Sequence, residues 1–328
     1  MSALQRIASL LPSTTEICFA LGLGERVVGV THKCDFPAEA RHKPVLTAPK
    51  IDVDADSAEI DRQVRSLVAE GLSIYRVDEN LLRALRPELI LTQDVCDVCA
   101  VPLAEVREAA CRLLGSEVEI LSLSPRTLTD VFEDVRRVGA ATASEAAANE
   151  LVRNLQARLD RLRAETSGLE RPTVLALEWL DPPMVASHWT PELIRIAGGR
   201  PILGHDAEPS RTIDWESIVE AAPEALLVIP CGFRVGQSLR EMRRLMDRPG
   251  IGDLPAARSG QVTVIDGSAY FNRPGPRLVE SAELAALAIH PNQFRGRFKW
   301  GQDALVRWPE AAGEGGVRTA AALPLRLP

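Results

Sequence analysis

Six cysteines stand in this chain of 328 residues, and four occupy places where a thiol can do chemistry. Cys96 and Cys99 form a Cys-x-x-Cys pair in the segment Thr92-Gln-Asp-Val-Cys-Asp-Val-Cys-Ala-Val-Pro102. Two thiolates at that spacing grip one soft cation, as zinc and iron–sulfur sites do. Cys34 follows a strand-like run in Val30-Thr-His-Lys-Cys-Asp-Phe-Pro37, and Cys231 follows another in Leu226-Leu-Val-Ile-Pro-Cys-Gly-Phe233. These are ends of apolar runs, where an α/β protein presents its chemistry at the carboxyl edge of a sheet. If those edges meet, Cys34, Cys96, Cys99 and Cys231 converge on zinc, an iron–sulfur cluster or a redox role. The alternatives are four unrelated buried thiols, or thiols that touch a ligand directly. His32 and His188 are candidate imidazole partners. Cys18 and Cys111 lie among apolar neighbours in helical patterns and read as packed core thiols.

A second constellation is aromatic. Only 4% of the chain is aromatic. Yet Trp179, His188 and Trp189 cluster in Glu178-Trp-Leu-Asp-Pro-Pro-Met-Val-Ala-Ser-His-Trp189, and Tyr270 and Phe271 follow a later strand. Aromatic walls suit a large flat ligand, and an imidazole at position 188 suits its cobalt or iron. The competing reading packs both tryptophans in the core and leaves His188 inert. Ser13 and Thr14 sit at a helix start, where free amides favour an anionic or carbonyl group, with capping as the plainer role. Gln93 and Asp94 are placed to hold the cysteine loop. Arg273 reads as a contact for ligand carboxylates or amides, or as the partner of an acid such as Asp35.

The elements that must position these groups alternate. Strands are expected at Arg6–Leu11, Val27–Thr31, Leu89–Thr92 and Val118–Leu121. Helices are expected at about Thr14–Leu21, Ser57–Glu70, Leu103–Leu114 and Leu128–Val138. Ser13-Thr-Thr-Glu16 and Thr142-Ala-Ser-Glu145 both spell capping boxes. Behind the second, Leu151, Leu155, Leu159 and Leu162 repeat at helical spacing to about Glu165. At ~1.5 Å per residue that helix spans roughly 35 Å, enough to bridge two lobes, the alternative being a plain amphipathic helix on one domain. The alternation then restarts, with strands at Thr173–Leu177, Ala225–Ile229 and Val262–Ile265. Helices are expected at Pro191–Ala197, Trp215–Ala221, Leu239–Met246 and Arg277–Ile289. The pattern fades after Pro291, and the tail reads as a surface extension or a partly disordered one. Such order predicts mainly parallel sheets with helices on both faces.

Composition narrows the function. A formal net charge of −7, without a basic stripe, argues against a nucleic-acid partner. No stretch approaches the ~20 apolar residues of a membrane span. The N-terminus lacks a basic region followed by a long apolar one, so a cytoplasmic protein is expected. GxGxxG, GxxxxGK[ST], GxSxG and HExxH are all missing, which favours a binding protein over an enzyme.

The order of parts resembles a known family. Arg6-Ile-Ala-Ser-Leu-Leu-Pro-Ser-Thr-Thr-Glu16, Leu21-Gly-Leu-Gly-Glu-Arg-Val-Val-Gly-Val30 and Cys34-Asp-Phe-Pro37 are similar to the opening of cluster III substrate-binding proteins, which serve ABC importers of vitamin B12, siderophores and haem. Leu85-Arg-Pro-Glu-Leu-Ile-Leu91 and Ala221-Ala-Pro-Glu-Ala-Leu-Leu-Val-Ile229 resemble the family's strands in the two lobes. Tyr270-Phe-Asn-Arg-Pro-Gly-Pro-Arg277 resembles a loop of the B12-binding members. The resemblance implies two Rossmann-like α/β lobes joined by one long helix, with a ligand cleft between them. The divisions expected are a lobe over 1–141, the joining helix over 142–166, a second lobe over 167–292 and an extension over 293–328. The implied ligand is a cobalamin-like corrinoid or a related metal-containing tetrapyrrole, held by Ser13, Thr14, Gln93, Trp179, His188, Trp189, Tyr270, Phe271 and Arg273. The chain departs from the family in its missing export signal, a helix inserted around 57–70, and the thiols at 96, 99 and 231. The first departure makes an ABC importer partner doubtful, unless the sequence is a truncated importer component.

Overall fold

The computed structural model describes residues 5–70, 72–93, 104, 106, 108, 110, 118–298 and 304–308. The chain forms two compact α/β units. The first comprises Met1–Ala55, Glu59–Leu155 and Pro274–Pro276; the second comprises Asp56–Ala58, Gln156–Arg273 and Arg277–Pro328.

The first unit is built on β1 (Ile7–Ser9), α1 (Pro12–Ala20), β2 (Val27–Gly29), β3 (Thr47–Pro49), α2 (Ser57–Ala69), β4 (Tyr75–Val77), α3 (Glu79–Leu85), β5 (Leu89–Gln93), β6 (Glu119–Leu123) and α4 (Leu128–Ala141). Helix α5 (Glu145–Thr166) follows, and the division between the units falls inside it. Strands β2, β1, β5 and β6 lie side by side in that order, all parallel, with Ile7 against Leu89 and Leu89 against Glu119. Strand β5 is buried throughout because Leu-Ile-Leu-Thr-Gln runs through the sheet centre. Strands β3 and β4 make a separate antiparallel pair, with Thr47 opposite Val77 and Pro49 opposite Tyr75.

The second unit contains β7 (Thr173–Leu180), β8 (Pro183–Val185), α6 (Thr190–Ile196), β9 (Arg200–Pro201), β10 (Arg211–Thr212), α7 (Trp215–Ala221), β11 (Ala225–Val228), α8 (Val235–Met246), α9 (Pro255–Arg258), β12 (Val262–Ile265), α10 (Leu278–Ile289), α11 (Pro291–Phe294) and β13 (Leu305–Arg307). Strands β7, β11 and β12 are its parallel centre. Antiparallel β8 and β10 extend one side, and antiparallel β13 closes the other. Its core gathers Leu175, Leu177, Leu226, Val228, Val262 and Val264 from the sheet with Ile218, Met242 and Leu245 from the helices. Arg158 in the later part of α5 binds Glu283 of α10 at 2.8 Å.

Three expectations change. Helix α1 starts at Pro12 rather than Thr14; its N-cap is Leu11, with no side-chain cap. Proline's fixed φ and absent N–H suit the first helical position, so Ser13 falls inside the first turn and its capping box does not form. Thr142 serves the end of α4, where its hydroxyl donates to the Val138 carbonyl at 2.7 Å, and α5 begins at Glu145. The capping box that does form joins Thr127 and Asp130 at the start of α4. The tail is not merely a surface extension: Leu305–Arg307 is a strand on β12, and Arg307 donates to the Ala288 carbonyl at 2.8 Å. The helix expected at 103–114 and residues Asp94, Cys96, Cys99 and Cys111 lie largely or wholly outside the described residues. Among the described residues, no helix is long and apolar enough to cross a membrane.

Candidate functional site

The carboxyl edge of the first sheet is lined with hydroxyls. Ser9 ends β1, and its Oγ lies 2.6 Å from Thr14 Oγ1 and 2.7 Å from Thr15 Oγ1. Thr14 also donates to the Leu11 carbonyl at 3.0 Å. The Cys34 sulfur is 3.0 Å from Thr15 Oγ1 and 3.6 Å from Thr31 Oγ1. This network is closed: Ser9, Thr14 and Thr15 have no exposed surface, and Cys34 is buried. Thr14 is therefore committed to its own unit. Ser13 is buried beside Gly275, where an added Cβ would stand 3.4 Å from the Ser13 carbonyl oxygen. Gln93 is buried at the end of β5. Deep burial pushes the Cys18 thiol up to about 12, as befits an inert core cysteine.

His32 lies on the same edge, in the loop after β2. Both its backbone N–H and its ring Nδ1 meet Thr47 Oγ1, at 3.3 and 2.9 Å. The Tyr75 ring packs on the imidazole at 5.4 Å, tilted by 44°. Nε2 is buried without a hydrogen-bond partner. Burial, then the charge of neighbouring Lys33, lowers the His32 pKa to about 4, so the ring is neutral at physiological pH.

The second unit's edge is aromatic. Trp179 is part of β7 rather than of a loop; its indole N–H donates to the Asp181 carbonyl at 3.1 Å. The indole lies 5.1 Å from the ring of Phe233, a residue the sequence reading did not single out although it follows Cys231 by two positions. His188 has a positive φ of 54° and stacks on Trp189 at 5.5 Å. Trp189 is buried and donates its indole N–H to the Phe271 carbonyl at 2.6 Å. Phe271, also at positive φ, is 1% exposed and held by the Ser281 hydroxyl, so it is a packing residue. Tyr270 is covered by the Arg277 guanidinium, 4.4 Å from its ring centre.

The turn carrying these rings is fixed by polar groups. Asp266 accepts from the backbone of Ser268 and Ala269 at 2.9 and 2.8 Å. Asn272 donates to the carbonyls of Ile229 and Gly267, both at 2.9 Å. Gly267 is required there, since an added Cβ would come within 2.1 Å of the Pro230 carbonyl oxygen. Arg273 is 5% exposed, with its guanidinium 3.5 Å from Ser268 Oγ. Cys231, half-buried, donates its backbone N–H to the Glu178 carbonyl at 2.9 Å. Within the second unit the structure thus brings Trp179, Cys231 and Phe233 together, and separately His188, Trp189 and Phe271.

The thiol hypothesis gains nothing from these positions. Among the described residues, no group of three or more His, Cys, Asp or Glu side chains could hold a metal ion. Cys34 already has hydroxyl neighbours on two sides, and neither zinc nor an iron–sulfur cluster fits the described donors.

Two α/β units with mainly parallel centres, each presenting functional groups at a carboxyl edge, define a two-lobed ligand-binding protein. The sequence pattern described as periplasmic binding protein matches residues 7–269, and the chain belongs to that family. It is 22% identical over 298 residues to an uncharacterized ABC transporter substrate-binding lipoprotein, YvrC, of Bacillus subtilis, covering 89% of this chain and 82% of that one. It is 21% identical over 283 residues to the vitamin B12-binding protein of Vibrio vulnificus, covering 85% of this chain and 88% of that one. Among solved structures, a periplasmic heme-binding protein from Pseudomonas aeruginosa matches with a TM-score of 0.65 and 19% identity, covering 88% of this chain and 93% of that one.

Proposed function

We propose that this protein binds a cobalamin-like corrinoid or a related metal-containing tetrapyrrole, and that it serves as the substrate-binding partner of an ABC transporter. The observation that carries the reading is the aromatic edge of the second unit. There the partly exposed Trp179 pairs with Phe233, while His188 stacks on the buried Trp189. Such surfaces suit a broad flat ligand with apolar faces, because stacked rings add about 0.5–1.5 kcal/mol per pair beyond area burial. Relatives named for vitamin B12 and for heme support the same ligand class. Both are metal-centred macrocycles.

Within the second unit, Trp179 supplies a partly exposed indole face, with Phe233 beneath it fixing the indole's tilt. Trp189 and Tyr270 are buried and position their neighbours rather than forming an open surface. A bound macrocycle of this class would supply a metal centre. The protein's contribution is orientation and exclusion of water.

The test is an absorption spectrum of purified protein mixed with hydroxocobalamin or, in parallel, with ferric haem, and then desalted. Retained absorbance in a fixed ratio to protein supports the reading and tells the two macrocycles apart. A colourless protein fraction in both arms contradicts it.

A further inference from the structure

Helix α2 is the departure from the family pattern that the functional reading leaves unused. Of its 13 residues only Ser57 and Ile60 are buried. Its ion pairs, Arg62 with Glu59 and Arg65 with Asp61, lie within the helix and on its surface, where such pairs add little. A helix of this length is marginal on its own in water. Much of its stability therefore has to come from where it is attached. The attachment is polar and sits at the first turn. Ser57 has no exposed surface, and its backbone N–H and its hydroxyl both donate to Glu241 Oε2, at 3.2 and 2.7 Å. Glu241 belongs to α8 and is itself buried. One turn further along α8, Arg244 binds Asp56 at 2.6 Å. The first N–H groups of a helix have no partner inside it, and a carboxylate placed there satisfies one of them and complements the helix dipole. Here that carboxylate stands 184 residues away in the chain. Asp56–Ala58 accordingly belong to the second unit, although Ala55 and Glu59 on either side belong to the first.

We propose that α2 is a releasable strap, latched onto α8 by Glu241 and Arg244. When the latch opens, Asp56–Ala58 leave the second unit, the first turn of α2 unwinds, and the rest of that unit keeps its fold. The strap then hangs from the first unit alone, to which the remainder of α2 belongs. Two contrasts make the latch the weak point. The latch is made of hydrogen bonds and an ion pair that is partly open to solvent, with Arg244 61% exposed. Helix α8, which carries the latch, is held by Val235, Met242 and Leu245 in the core of the second unit and does not depend on α2. Segments with few buried apolar groups open locally, well before the whole unit unfolds. The proposal is independent of which ligand the protein binds.

The experiment is hydrogen exchange of the full chain read by mass spectrometry, with limited trypsin digestion as a second readout because Arg62 and Arg65 are exposed on α2. In the wild type, amides of residues 57–63 are expected to exchange at least about tenfold faster than those of α8, through local opening. Glu241→Ala should speed exchange there by about a further tenfold and hasten cleavage after Arg62 and Arg65, while α8, β11 and the melting midpoint stay as in the wild type. Ser57→Ala, which keeps the backbone donor, should give a smaller change in the same direction. Arg244→Ala should give the smallest, and about 1 M salt should bring the wild type to its level. Wild-type exchange of residues 57–63 at the rate of α8 overturns the inference, because the segment then opens only with the whole unit. Unchanged exchange in Glu241→Ala overturns it as well. Loss of protection across α8 and β11 in both Glu241→Ala and Ser57→Ala overturns it too, since the carboxylate would then hold the second unit together rather than the strap. Should Glu241→Ala alone fail to fold, Ser57→Ala decides: faster exchange confined to residues 57–63 supports the strap, and no change overturns it.

Discussion

The two units carry the same kind of sheet edge and furnish it with opposite chemistry. At the end of β1 and the start of α1, the first unit places Ser9, Thr14, Thr15, Thr31 and Cys34, small groups knitted by hydroxyl contacts of 2.6 to 3.6 Å. The corresponding edge of the second places Trp179, Phe233, Trp189, Tyr270 and Phe271, large rings held by single donors to backbone carbonyls and by one cation–π contact. A hydroxyl network fixes a backbone closely but offers little area. Rings offer area and need a rigid turn behind them, which Asp266 and Asn272 provide. The difference teaches that one edge is built for exact polar positioning and the other for stacking.

Substitutions should separate the two chemistries by size of effect. Phe271→Ala removes a ring with almost no exposed surface and should destabilise the second unit by about 3–5 kcal/mol, measured by denaturant unfolding. An unchanged midpoint would mean that the ring is not packed. Trp179→Ala should weaken tetrapyrrole binding by roughly ten- to a hundredfold, the loss expected from ~1.5–3 kcal/mol of buried ring surface. Equal affinity for the variant would remove the second unit's edge from the binding account. Thr15→Val breaks contacts to Ser9 and Cys34, which keep Thr14 and Thr31 as partners, and should cost about 0.5–1.5 kcal/mol by denaturant unfolding; no change in midpoint would mean that the hydroxyl adds nothing to the network.

Acidity offers a finer test within the first unit. Burial pushes the Asp134 carboxyl up from 3.8 to about 6, although Arg137 donates to it at 2.8 Å. A raised folded-state value means that its contribution is fully present below the unfolded value of 3.8 and is lost as pH rises through about 6. His32 has the opposite sign. Its value is depressed from 6.5 to about 4, so its contribution is present above 6.5 and is lost as pH falls through about 4. Melting curves across that range should show Asp134→Asn losing less stability than wild type on the way up, and His32→Gln losing less on the way down. Parallel curves for all three proteins would contradict both assignments. The smallest effect should come from Arg163→Ala, whose bond to Asp160 is exposed at both ends; its melting temperature should match wild type.

Much of the scaffold was legible because its signals are local. The run Leu89–Leu91 is apolar without a break, and the leucines of α5 repeat every third or fourth residue, so each declares its element unaided. Strands β8, β10 and β13 were not legible. Each has only two or three residues, and β13 owes its strand character to β12, forty residues earlier in the chain. The start of α1 misled because Ser13 and Glu16 spell a capping box, while Pro12 had already set the first turn. At the candidate site, the sequence marked Trp179, His188 and Trp189 by type alone. It could not mark Phe271 as a packing residue, nor tie His32 to Thr47 and Tyr75, because those roles arise from pairing across β3 and β4. The thiols were the most conspicuous residues in the sequence, yet Cys34 is occupied by neighbouring hydroxyls.

The most direct measurement is equilibrium dialysis of the wild-type protein and Trp179→Ala against hydroxocobalamin and against ferric haem. The account predicts saturable binding of one macrocycle by the wild type, and a binding curve shifted at least tenfold for the variant. No saturable binding of either macrocycle by folded wild-type protein would contradict it.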